Sequence, residues 1–145
     1  MNSMVATIKN YNSIQEIAES LDKELAETKS ALGDNLRKLD EIRTLAEKTK
    51  KIREIVMKLA GKKNINGENL GEIDLNGLKI VLDANAFHEL TAIEEAVRSQ
   101  QEYLLDLQKA RDALQPLEKL GDTEGLQFIV VEKHKVPQRI LLKGF

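Results

Sequence analysis

Apolar residues recur through the first half of the chain at alternating steps of four and three: Ile14, Ala18, Leu21, Leu25, Leu32, Leu39, Ile42 and Ala46, with Thr28 and Asn35 in the same phase. That spacing holds one stripe on one side of a helix for more than four heptads. Ser13-Ile14-Gln15-Glu16 is a capping box that starts the helix, and Gly61 ends it. After Ala46 the stripe is expected to drift to Leu45, Ile52, Val56 and Leu59, as a straight helix slips against a seven-residue repeat. Gly33-Asp34-Asn35 is the weak point, yet Leu25, Leu32 and Leu39 keep phase across it, so one helix over residues 11–61 is predicted.

Turn chemistry replaces helical spacing over residues 62–83. Asn76-Gly77, flanked by Ile73, Leu75, Leu78 and Ile80, predicts a two-residue type I′ hairpin with Leu75 opposite Leu78 and Asp74 opposite Lys79. Asn66-Gly67 reads as a loop. A second helix is predicted over residues 84–120, capped by Asp83 or Asn85. Its stripe is Ala86, Leu90, Ile93, Val97, Gln100, Leu104, Leu107, Arg111 and Leu114, and Pro116 kinks or ends its last turn. Residues 126–143 then read as two strands about a turn marked by Val136-Pro137-Gln138.

The fold class that follows is mainly α with small β elements. A long antiparallel coiled-coil helical hairpin is joined by a β-hairpin and followed by a C-terminal β-hairpin, in a single elongated domain over residues 1–145 that is oligomeric. Helix, β-hairpin, antiparallel helix is a topology similar to that of a prefoldin subunit. That likeness implies arms that hold clients and hairpins that build an oligomer, although the strand-like tail after the second helix departs from it.

Charge sets the direction of pairing. Residues 43–63 carry a local net charge of +6 and residues 83–106 one of -5, so a chain doubled back at the hairpin lays them side by side. Such exposed pairs are worth about 0–1 kcal/mol each, enough to select register while the stripes supply the binding energy. Folding about the hairpin is expected to bring Asn35 near Arg111 and Ile42 near Leu104. At about 1.5 Å per residue the first helix outruns the second. The surplus is expected at its amino-terminal end, where Ile14, Ile17, Leu21 and Leu25 would lack an intrachain partner and serve oligomerisation. The strands, marginal as isolated pairs, are expected to complete a sheet with another element.

Composition narrows the chemistry. The 145 residues contain 22 Lys and Arg against 24 Asp and Glu, and no Cys, which excludes disulfides, thiolate metal sites and cysteine nucleophiles. The longest apolar run, Phe128–Val131, is too short to span a bilayer, and the amino terminus lacks a signal-peptide pattern. A cytoplasmic protein without a membrane partner is expected. His88 has no second His at helical spacing, and His134 sits in a turn between strands. Glu94 and Glu95 point about 100° apart on a helix. No phosphate loop or nucleophile elbow occurs, so neither a catalytic residue, a metal nor a cofactor is expected.

Lys133, Lys135, Arg139 and Lys143 cluster with Glu132 alone opposing them. They are candidates for holding a phosphate-bearing ligand, a nucleotide or nucleic acid, at an intersubunit basic site. The competing reading is that these charges guard an exposed strand edge against aggregation. The function expected overall is that of a non-enzymatic homo-oligomeric interaction protein, an adaptor, scaffold or holding factor whose partners are copies of itself or another protein. The alternative is a sequestering protein for the phosphate-bearing ligand, and a component of a larger particle is a third reading.

Overall fold

The computed structural model describes residues 5–60, 72–81, 85–120 and 123–144. Gly61, Asn66-Gly67, Asp83 and Gly121, to which the sequence assigns helix ends, a loop and a cap, lie outside the described residues. The elements are β1 (Ala6–Tyr11), α1 (Ile14–Ala60), β2 (Glu72–Leu75), β3 (Leu78–Val81), α2 (Ala86–Ala113), the single turn α3 (Gln115–Glu118), β4 (Gln127–Lys133) and β5 (Val136–Lys143). They fall into two compact units, residues 1–31 with 100–145, and residues 32–99.

Helix α1 starts where its capping box stands. Ser13 Oγ accepts the Glu16 amide at 3.1 Å, and Glu16 Oε2 accepts the amide of Asn12, one residue earlier than the usual return bond, at 2.9 Å. The helix runs unbroken through Gly33, as the unchanged phase of the leucines requires. Its covered side chains follow the predicted stripe from Ile14 to Ala46 and reach Thr49. Of the positions to which the stripe is expected to drift, Leu45 and Ile52 are exposed, while the side chains of Val56 and Leu59 lie outside those described.

Asn85 caps α2, its Oδ1 accepting the amides of Phe87 at 2.9 Å and His88 at 3.3 Å, while His88 Nδ1 accepts the Asn85 amide at 3.1 Å. His88 therefore takes the reciprocal role that Glu or Gln plays in a capping box. The predicted stripe of α2 is covered throughout, from Ala86 to Leu114. The helix stops at Ala113 instead of Leu120. Pro116 has no amide to donate and crowds the preceding turn, and the chain tightens into α3 through bonds such as Leu117 N–H to Leu114 O at 2.9 Å.

In the first unit, β1, β4 and β5 form an antiparallel sheet in that order. Strand β1 supplies the third strand that the C-terminal hairpin needs, with Ala6 opposite Lys133 and Tyr11 opposite Phe128. The turn between β4 and β5 is His134-Lys135, both with positive φ, so the reversal precedes the Val136-Pro137-Gln138 segment, which belongs to β5. Pro137 sits on an edge strand, where its missing amide is tolerated. Phe128 and Val130 face inward onto Ile14, Ile17, Ala18, Leu21 and Leu25 of α1 and Leu107 and Leu114 of α2, and these residues make one core.

In the second unit, β2 and β3 pair in the predicted register, Ile73 opposite Ile80 and Leu75 opposite Leu78. Asn76 and Gly77 both have positive φ, the backbone a two-residue hairpin turn demands. Leu39, Ala46, Ala86 and Val97 are buried, and Arg43 reaches from α1 to Glu94 of α2 at 3.9 Å. The antiparallel direction is the one the charges select.

Two expectations about pairing are corrected. Arg111 meets Asp22 and Glu118, not Asn35, and Leu104 packs on the core of the first unit instead of on Ile42. The surplus of α1 also lies at the opposite end from that expected. Arg43 is level with Glu94, so eight residues further along each helix the start of α2 at Ala86 comes level with Lys51. Ile52 and Ile55 extend past it and are 63% and 58% exposed, whereas Ile17 is 1% exposed.

Candidate functional site

Each residue proposed for oligomerisation is in the core of the first unit. Ile14, Ile17, Leu21 and Leu25 are buried under β4 and against Leu107 and Leu114. The sequence left them bare because it did not show β1, whose arrival completes a sheet wide enough to cover them. Large apolar residues are exposed elsewhere. On α1, Leu45, Ile52 and Ile55 are spaced by seven and three, which puts them on one side of the helix, a side other than that of the covered Leu39, Ile42, Ala46 and Thr49.

The four basic candidates separate in space. Lys135, in the turn, donates from Nζ to Glu24 Oε2 of α1 at 3.4 Å. Lys133 is exposed at the end of β4. Arg139 and Lys143 stand on β5 opposite Val131 and Gln127. Successive strand residues alternate faces, and Ile140, opposite the buried Val130, packs on the core, so Arg139 and Lys143 point away from it. Only Lys135 thus turns toward the helices.

Around Lys135 lies a polar cluster of the first unit. The Tyr103 hydroxyl donates to Glu24 Oε1 at 3.2 Å, so both oxygens of Glu24 are engaged. The Tyr11 hydroxyl donates to Glu132 Oε1 at 3.2 Å. Glu132, only 5% exposed, needs such a partner, because an ionised carboxylate out of water is costly unless hydrogen-bonded. Burial, and then the charge and hydrogen bond of Glu24 and the charge of Glu132, raise the Tyr103 phenol above its ordinary range. Lys9, Ser20, Lys23, Glu27, Glu24, Glu132 and Lys135 line an open cleft of about 170 Å³ here. Its charges balance, three cations against three carboxylates, and its bonds tie the β4–β5 turn to α1 and α2. The arrangement braces the fold and offers an incoming anion no surplus of positive charge.

A second cleft of about 240 Å³ lies between Ser13, Ile14 and Gln15 at the start of α1 and Leu117, Glu118, Leu120 and Thr123, with Ser13 Oγ engaged by the Glu16 amide and Glu118 by Arg111. Among the described residues, no group of three or more His, Asp or Glu converges as a metal site, and no helix is long and apolar enough to cross a membrane. The feature that sequence reasoning missed is the outer face of the sheet. Ile8 of β1 lies opposite Val131, and Ile129 lies opposite Leu141, all pointing away from the core. The only signal for it was the β-branched run Ile129–Val131, longer than a strand with a single buried face requires. No protein family, no curated protein and no solved structure matches the chain.

Proposed function

We propose that the chain is a non-enzymatic interaction protein that assembles with copies of itself through the second unit. The observation that carries this reading is the exposed stripe Leu45, Ile52 and Ile55 on α1, part of it on a helix end that overruns α2. Apolar residues repeated along one side of a helix are what a helical partner covers. The surroundings favour a second copy as that partner. The stripe lies in the basic stretch 43–63, and the acidic stretch 83–106 of another copy offers the opposite charge. In a two-fold assembly the stripes of the two copies cover one another while the basic and acidic stretches beside them pair, so every contact occurs twice. The first unit, with its own closed core, stands as the part that such an assembly presents.

The phosphate-bearing ligand has less support from the geometry. Lys135 is committed to Glu24, and the remaining cations border an apolar surface instead of a closed pocket.

Light scattering on the purified chain tests the proposal. A dimer or larger assembly is expected, reduced to monomer by Leu45→Lys with Ile52→Lys, both exposed positions whose replacement spares the core. Leu21→Ala serves as the contrast: it is expected to destabilise the first unit by about 2–5 kcal/mol through loss of buried volume, without lowering the assembly mass under native conditions. A monomeric native chain at micromolar concentration overturns the proposal.

A further inference from the structure

The sheet of the first unit has two faces, and one of them is committed to the core. On the other, Ile8, Ile129, Val131 and Leu141 form an apolar patch across all three strands, with Ile8 70% and Leu141 47% exposed. Arg139 and Lys143 flank Leu141 along the β5 side. No carboxylate stands among the strand residues of this face. Glu132, the one acid of the sheet, points inward and is buried.

We infer that this face docks an acidic amphipathic helix of a different protein. Three strands about 4.8 Å apart present a surface about as wide as one helix, whose diameter with side chains is about 10 Å. Arg139 and Lys143 are four residues apart on a strand, about 13 Å, so they meet carboxylates spaced some two helical turns apart along one flank of the incoming helix. The apolar patch accepts the residues beside those carboxylates. The charge on this face argues against a second copy as occupant. Stacking two such faces sets cations against cations, and the chain's own acidic helix, α2, has Leu105 as its one large apolar residue exposed among the described residues. A gatekeeping role for the cations accounts for charges beside an edge strand. It does not account for an apolar patch that continues across the middle of the sheet to Ile8.

The probe is a designed helical peptide of about 18 residues, Leu on one side and Glu along the flanks, titrated against the full chain by fluorescence anisotropy. Binding is expected to weaken with salt and to fall at least about tenfold in Arg139→Glu with Lys143→Glu, while the Leu45→Lys, Ile52→Lys variant binds as the native chain does. Ile8→Ser, at a position exposed enough to leave the fold intact, is expected to weaken it as well. Backbone amide shifts are expected at Ile8, Ile129, Val131 and Leu141. Circular dichroism confirms that each variant is folded. Absence of binding to the native chain overturns the inference, and so does undiminished binding to the charge-reversed chain. Preference for a single-stranded oligonucleotide over the peptide overturns it in favour of nucleic acid. A fall in assembly mass in the charge-reversed chain overturns it by giving the face to self-association.

Discussion

Arg111 donates from Nε to Asp22 Oδ1 at 2.8 Å, and its other arm reaches Glu118, so one guanidinium at a stripe position of α2 joins α1, α2 and α3. The bond to Asp22 is the first cause of a raised Arg111 pKa, on a guanidinium that is charged at any accessible pH in any case. Because Asp22 is more than half exposed, the pair sets alignment more than it adds stability.

A double-mutant cycle on Asp22→Ala and Arg111→Ala measures that pair. A coupling of about 0.5 kcal/mol is expected at low salt, shrinking toward zero in 1 M salt. Strict additivity of the two substitutions at low salt contradicts the register described here.

Tyr103 gives the stability an alkaline limb. Its pKa in the fold lies above that of the unfolded chain, so the folded state holds the phenolic proton more tightly. That contribution is complete below about pH 10 and is lost as pH rises from there through the raised value. In denaturant titrations, the stability difference between the native chain and Tyr103→Phe is expected to stay level from pH 7 to 9 and then to shrink toward pH 11. A difference that stays flat to pH 11 shows that the fold does not raise the Tyr103 pKa.

Gly33 is a helical glycine without a structural reason. A Cβ built on it meets nothing within 4 Å, and its φ lies outside the positive range. Gly33→Ala is expected to raise stability by about 0.5–1 kcal/mol, read as a higher denaturant midpoint with an unchanged slope. A lower midpoint shows that the glycine does something in the assembly that the single chain does not display.

The helical part of this fold was legible because its information is periodic and local. Leu25, Leu32 and Leu39 carry phase across Gly33, Asn76-Gly77 dictates a turn that only positive φ satisfies, and Asn85 stands where a cap must stand. Strand β1 was not legible, because its inward residues are Thr7, Lys9 and Tyr11. Two polar side chains and a hydroxyl do not alternate with apolar neighbours in the way a half-buried strand does. That omission moved everything downstream. Without a third strand a sheet is too small to cover Ile14, Ile17, Leu21 and Leu25, and the surplus length of α1 then falls at the wrong end. The four cations were found as a group, but which of them turns toward a helix depends on Glu24, a residue 111 positions from Lys135.

The pairing of β1 with β4 also has a consequence for synthesis. Tyr11 and its partner Glu132 are separated by 121 positions, and at about 5–20 residues per second the ribosome takes roughly 6–24 s to travel between them. Residues 32–99 form one contiguous stretch and possess all their internal partners well before then. The middle of the nascent chain is therefore the first part able to fold. Strand β1, made well before the strands it joins, waits unpaired until β4 and β5 emerge, and during that interval Ile14, Ile17 and Leu21 have no sheet to cover them.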